Sequence, residues 1–483
     1  MPTFNSKFYL ILILLLATFW RFANYPSRWV LNQDQARDAT IALYSIRNHT
    51  LPLVGSPSSA GAFNFGPAYD YLIAFFSIIL PFDSGPWIGF TLLSLLTVYL
   101  FYLIGTALST PCLGLIMSLL SAVSVELVSN SPDMLNTVIV AFGVTLTLYF
   151  VVKFLVSGSL KFAFLIGLGG GFTLQQHFQS LGLSTLLATS LLFRKNIKSC
   201  FLALISFFLS LAPLIYFDLT HNLVWIKSVI YYYTIDVHKF WAPTSWRIDL
   251  GTFWPHLFGQ VTVGSPLFGY FLIFLILSSY FLFLISKSRF QILDSRFLIP
   301  IALSFLLQIL LLRYYPGTRS REYLIAFHPF VIFFTGLALF IISQKSKPLF
   351  LVLISCFLVL STLSNLKTIQ IKSQAPLIYS LKSKLDSQIP GPISLYSDPN
   401  SNMLSLPIFY LLYRQNRISD TGTPILACIN CQSNGQLIAK ESLSPTQTYY
   451  LYLLQSPNIQ DPGSKIYPLT SRLIFSWLYI NYQ

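Results

Sequence analysis

Runs of roughly 15 to 23 apolar residues, each long enough to cross about 30 Å of bilayer hydrocarbon, recur along this chain between Pro, Gly and charged residues. Eleven can be marked, near 8–24, 86–108, 112–128, 135–155, 162–178, 180–193, 199–217, 264–286, 297–313, 323–342 and 348–366. Each predicts a transmembrane helix. Composition agrees: 54% hydrophobic and 16% aromatic residues, with only 10% charged, exceed what a water-exposed surface can carry. The expected fold class is therefore an α-helical polytopic membrane protein. A net charge of +14 does not point to nucleic acid, because most Lys and Arg fall in short loops between the runs.

Those loops set an orientation. With a cytoplasmic amino terminus, the loops at 153–161, 194–198, 287–296 and 345–347 lie inside, and each carries Lys or Arg. An odd number of spans then puts the carboxy terminus outside. The outer face holds a long first loop at 25–85, the segments 218–263 and 314–322, and the tail. The first run is expected to be a retained helix, since Phe19, Trp20, Arg21 and Phe22 occupy the place of a small-residue cleavage site. Residues 68–82 are short and carry Tyr69, Asp70 and Tyr71, which suits the membrane interface better than a span.

Residues 1–366 thus form the membrane domain, and 367–483 a small extracytoplasmic α/β domain. Ser, Gln, Asn, Pro and Lys become frequent there; helices are expected near 374–386 and 403–414, and strands at 393–396, 424–429 and 448–454. Its single CxxC, Cys428 and Cys431, lacks the second pair that zinc would need, leaving a local disulfide or two buried thiols.

Charge is scarce, so its clusters are informative. Asn32-Gln33-Asp34-Gln35-Ala36-Arg37-Asp38-Ala39 opens a helix with Ala36, Ala39, Leu43 and Ile46 at near-helical spacing, and Asp34 and Asp38 share a face. Asp34 can cap the helix start. It can equally serve as a general base, with Arg37 or Asp38 supplying its setting. The stretch Gly55-Ser56-Pro57-Ser58-Ser59-Ala60-Gly61, followed by Asn64-Phe65-Gly66-Pro67-Ala68-Tyr69, is either a connector or a pocket wall. Asp133, His177, Asp218 with His221, and Glu322 recur near the outer ends of predicted spans, where such groups face a cavity, a partner or the interface. Arg313, Arg319 and Arg321 lie on the outer side, against the charge rule. Guanidinium groups bind phosphate bidentately, so a phosphorylated lipid is a natural ligand; non-specific contact with anionic lipid is the alternative.

Taken together, this layout resembles the GT-C superfamily of integral-membrane glycosyltransferases, in particular the branch of protein O-mannosyltransferases and lipid A aminoarabinose transferases. The match covers roughly residues 8–366. It rests on Asp34-Gln35-Ala36-Arg37-Asp38-Ala39 in the first outer loop and on Gly66-Pro67-Ala68-Tyr69-Asp70-Tyr71-Leu72 beyond it. The resemblance implies a polyprenyl-phosphate sugar donor, an acceptor hydroxyl on a protein, lipid or glycan, no cofactor, and a plasma (inner) membrane setting. It assigns Asp34 as base with Asp38 and Arg37 beside it, matches Asp133 to an acidic residue before the fourth span, and gives the three arginines the donor phosphate. Tyr69, His177, His221 and Glu322 are then candidates for the acceptor or pocket. Where many members carry Asp-Glu, this chain has Asp34-Gln35, which weakens any metal site. The rival expectations are a transporter or flippase of lipid-linked sugars, for which no inverted repeat is evident, and an assembly protein whose tail binds a partner.

Overall fold

The computed structural model describes residues 5–236, 245–285, 295–315, 319–431, 433, 435–444, 447–454, 467–476 and 479. The basic loop at 287–296 falls almost wholly outside these residues, as do 316–318 between the arginines.

Every apolar run lies on a helix or a pair of helices. Full-length spans are fewer than the runs. Among the described residues, five helices are long and apolar enough to cross a membrane, and up to seven if each bent pair is one span. The difference comes from breaks inside apolar sequence. The run at 112–128 ends one helix at Val123 and starts another at Val125. The run at 199–217 bends by 62° between Ile197–Ser210 and Ala212–Thr220. The helix Phe268–Ile285 continues, across a 97° bend, a helix from 246 to 263 that the apolar pattern did not mark.

The bundle is layered by burial. The span Arg321–Lys345 is 94% enclosed by protein and forms the centre, whereas Lys347–Thr368 is 22% enclosed and turns Leu351, Val352 and Val359 outward. Where solvent is hydrocarbon, close packing supplies much of the association. Gly105 and Gly114 let the helices Gly85–Leu108 and Pro111–Val123 touch through backbone: a Cβ on Gly105 would lie 2.5 Å from the amide nitrogen of Gly114. The first helix, Ser6–Phe22, is held by the buried Arg21, which donates to Ser94 Oγ (2.9 Å) and to the carbonyls of Ala122 (3.1 Å) and Ser121 (3.2 Å). Arg28 does the same for the entry to the first loop, reaching the carbonyls of Trp20 (3.0 Å) and Val128 (2.9 Å).

The first loop is ordered throughout. It contains the helix Gln33–Asn48, a strap at 55–66 folded back on itself through Pro57 and Asn64, and the helix Ala68–Ile79. Twelve residues of helix span about 18 Å, short of a crossing. Its Tyr69, Asp70 and Ile73 are buried, while Phe75, Ile78 and Ile79 are exposed.

After Thr368 the chain builds a five-stranded sheet in the order β3-β4-β2-β1-β5, with β1 at Ile393–Ser397, β2 at Thr423–Ile429, β3 at Gln436–Ser444, β4 at Gln447–Leu453 and β5 at Tyr467–Pro468. β1 and β2 are parallel and the other pairs antiparallel. The helices Ala375–Gln388 and Asn402–Arg414 match the expected positions, and Cys428 and Cys431 are joined as a disulfide. β3 went unforeseen because register shifts at Leu437/Ala439 and Ser442/Ser444 break its alternation.

This sheet and the first loop share one apolar core, in which Ala39 and Leu43 pack with Ile408, Phe409 and Leu411. Polar ties reinforce it: Arg47 donates to the Tyr413 carbonyl (2.8 Å), Gln374 to the Leu31 carbonyl (2.6 Å), and Tyr410 to the Asp83 carbonyl (2.7 Å). We predict that Arg47→Ala raises amide hydrogen exchange in the helices Gln33–Asn48 and Asn402–Arg414 together. An increase confined to one of them would contradict a common core.

Candidate active site

The acidic motif folds as a helix start, but Asp34 is not its cap. Asn32 takes that role: its side-chain oxygen accepts from the Asp34 amide at 3.1 Å. The Asp34 carboxylate, one residue into the helix, is left for Arg37, whose Nη1 donates to Asp34 Oδ1 at 3.0 Å. The same guanidinium donates through Nε to Asp38 Oδ1 at 2.7 Å. The two carboxylates differ in setting, since the side chain of Asp34 is 45% exposed and that of Asp38 only 2%. Burial works against the charge on Arg37, yet Asp38 and Asp34 outweigh it and hold Arg37 above its usual pKa. Burial raises Asp38 in spite of Arg37 and of the hydroxyl of Ser56, which donates to Asp38 Oδ2 at 3.1 Å.

Gln35, the departure from the family pattern, points to Asp133 and donates to its Oδ1 at 2.6 Å. A glutamate here would set two carboxylates against each other. Asp133 is already raised to about 7 by burial, with Glu322 and Asp34 adding to the shift and Gln35 opposing it. Thus Asp34, Arg37, Asp38 and Asp133 come together, with Glu322 nearby. Tyr69 is buried and donates to the Met134 carbonyl at 2.7 Å, so it fixes the loop that carries Asp133.

Beside this cluster lies a cavity of about 400 Å³. The strap contributes Phe63 and Phe65, and facing helices contribute His177, Tyr232, Tyr315 and Tyr323. Leu310, Leu311, Leu312 and Phe327 give it a more apolar wall. His177 lies between Phe65 and Tyr323, with ring centroids at 4.7 and 4.9 Å. Its Nδ1 accepts from the Gln179 amide at 3.2 Å. The acidic residues do not line the cavity. They are linked to it by the strap, because Ser56 touches Asp38 while Phe63 and Phe65 form wall, and by Asn136, which donates to the Gln176 carbonyl at 2.9 Å. His221 stands apart: it stacks on Phe217 at 4.1 Å, on the exposed end of its helix.

The three arginines are ion-paired. Arg313 and Arg319 share the buried Asp249, at 3.2 and 2.8 Å, and Arg319 also donates to the Arg313 carbonyl at 3.2 Å. Asp249 thus gathers both guanidiniums beside the cavity wall at Leu312 and Tyr314. Arg321 pairs with Glu126, which also accepts from Gln260 at 3.1 Å, and its side chain is 64% exposed. Sequence reasoning missed Glu126 and Asp249. Glu126 carried a usable signal, being an acid inside an apolar run, where an unpaired charge is costly. Asp249 lies in a segment taken as loop. Among the described residues, no three His, Cys, Asp or Glu side chains converge as a metal site.

No family model matches this chain, and no curated protein sequence matches it. Solved structures do. ArnT from Cupriavidus metallidurans superposes with a TM-score of 0.62 in its apo state, at 10% identity, over 92% of this chain and 98% of that one. The same protein bound to undecaprenyl phosphate gives 0.61 at 10% identity, over 93% and 99%. The oligosaccharyltransferase AglB from Archaeoglobus fulgidus, in complex with an inhibitory peptide and a dolichol-phosphate, gives 0.54 at 10% identity, over 98% and 76%. Against its apo form this chain spans 59% of the length. At such identity the likeness is one of fold alone: the protein shares the fold of ArnT and AglB, with a small carboxy-terminal sheet domain.

The raised pKa of Asp133 predicts a pH effect with a definite sign. The folded state keeps a proton that an unfolded aspartate, at 3.8, releases, so this residue's stabilising contribution is complete below that value and is lost as pH rises through about 7. Melting temperatures across this window should fall more steeply in the wild type than in Asp133→Asn. Parallel curves would show that Asp133 titrates normally.

Proposed function

We propose that this protein is an integral-membrane glycosyltransferase that moves a sugar from a polyprenyl-phosphate donor to an acceptor hydroxyl, with inversion, on the outer face of the membrane. The observation that carries this reading is a half-exposed aspartate, clamped by an arginine, beside a partly open aromatic cavity, on the fold of ArnT and AglB. Undecaprenyl phosphate bound to the one and dolichol-phosphate to the other support a lipid-phosphate carrier for this chain too.

In this mechanism the acceptor oxygen attacks the anomeric carbon while Asp34 takes its proton, and the bond from that carbon to the polyprenyl-phosphate oxygen breaks with its electrons leaving on phosphate. A general base of this kind contributes about 10²- to 10⁴-fold in rate. Arg37 holds Asp34 in place through their ion pair. The guanidiniums of Arg313 and Arg319 gathered on Asp249, with the exposed guanidinium of Arg321, suit the place where negative charge develops. The aromatic walls offer flat apolar faces to a sugar ring, and His177 a hydrogen-bonding group. The outward-facing site, the cytoplasmic amino terminus and the plasma membrane setting form part of the same proposal, and the basic loops support that orientation.

Asp34→Asn, purified and reconstituted, should lose transfer from a panel of polyprenyl-phosphate sugars by about 10²-fold or more while inserting normally. Full activity would remove the base assignment. Arg319→Glu should raise the donor concentration needed for half-maximal rate; an unchanged donor dependence would count against the phosphate role. Transfer by the wild type without any ion gradient separates an enzyme from a carrier.

A further inference from the structure

Asp70 is 1% exposed, and among the described residues neither of its carboxyl oxygens has a hydrogen-bond partner. It stands in the first turn of the helix Ala68–Ile79, pressed against the strap. Gly55 is the contact point: a Cβ there would lie 3.2 Å from Asp70 Oδ2 and 2.2 Å from the Gly66 carbonyl oxygen, so only glycine lets the strap lie this close. The next strap residue, Ser56, donates to Asp38 Oδ2. Two adjacent strap residues therefore touch two buried carboxyls, and Arg37 already commits its Nε to Asp38 and an Nη to Asp34.

Ionised Asp70 would be a buried charge without a donor beside a second buried carboxylate, an arrangement that low-dielectric surroundings strongly penalise. We propose that Asp70 keeps its proton in the folded protein and that the Asp38–Asp70 pair, with one proton between them, is what fixes Arg37 on Asp34, making Asp70 a positioning residue for the transfer reaction. As to the reaction, this rests on the function proposed above; the protonation does not. The charged and titratable groups around the pair are Arg37 and Asp38 from the helix Gln33–Asn48, Tyr69 and Tyr71 from its own helix, and Tyr479 from the tail, with Asp133 beyond Tyr69. Of these only Arg37 is cationic. When Asp70 loses its proton, the new charge repels Asp38 and draws Arg37 inward, away from Asp34. Burial, then Asp38, push the Asp70 carboxyl well above the ordinary range, which puts this loss above the pH at which an ordinary carboxyl ionises.

The test is infrared spectroscopy of the reconstituted full chain across pH, with Asp70→Asn and Asp38→Asn. The wild type should show a protonated-carboxyl C=O band at neutral pH that is missing in Asp70→Asn, and in Asp38→Asn the same band should titrate at lower pH. Asp133 contributes a band of its own, identified with Asp133→Asn. A wild-type spectrum that Asp70→Asn leaves unaltered overturns the proposal. If Asp70→Asn does not fold, an Asp38→Asn band that titrates as in the wild type overturns it instead. For the positioning role, Asp70→Asn should abolish the fall in transfer that accompanies loss of the infrared carboxyl band; a fall at unchanged pH sinks that role. If no donor supports transfer by the wild type, the proposed function fails, and the infrared result still decides whether Asp70 holds a proton.

Discussion

The site hangs on one guanidinium. Arg37 sits between a carboxylate that solvent reaches and one that it does not, and each pairing limits the other. Without Arg37, Asp38 would be a buried charge with only a hydroxyl for support, and Asp34 a freely rotating surface acid. Helix geometry makes the arrangement possible, since residues three apart share a face. Tertiary structure makes it durable, because Ser56 closes the last position on Asp38 and Gln35, from the same helix, reaches Asp133. Replacing glutamate by glutamine within the motif thus fits its setting, where a donor is needed opposite an acid.

Much of this was legible in the sequence, and the rest was hidden for physical reasons. Apolar runs locate helices because hydrocarbon demands them, and all eleven runs are helical. They do not reveal length in space: Ser124 interrupts a run with no loss of hydropathy, and the 97° bend follows Gly264, which turns the chain through a left-handed backbone. The motif around Asp34 was visible because charge is rare here. Its geometry was not, since a cap at Asn32 and one at Asp34 differ by two residues in the helix start. The arginines were noticed and their partners were not, because Asp249 lies 64 positions from Arg313 and Glu126 lies 195 from Arg321, and pairing at that range leaves no local pattern. His221 was grouped with the others by its depth in the sequence, a coordinate that says nothing about which side of a helix it occupies.

The arginines also show how a fold can hold charge ready near an apolar cavity. Complete neutralisation would leave no attraction for an anion, and bare arginines would be costly at a buried edge. A shared aspartate leaves Arg313 and Arg319 hydrogen-bonded and partly buried at this edge. An incoming phosphate would then compete with Asp249 for orientation more than for charge.

The common core of the first loop and the sheet has a temporal consequence. Residues 33–48 leave the ribosome early, but Ile408, Phe409 and Leu411 against which they pack, and the helix Ser471–Ser476 that also lies against them, are made hundreds of residues later. Each span can enter the bilayer as it is synthesised, whereas the acidic cluster reaches its final setting only when the last strands are in place. Contacts so distant in sequence form slowly. Membrane insertion and maturation of the site are therefore separate events, and a quality-control system inspecting only the bundle would pass molecules whose site is still unmade.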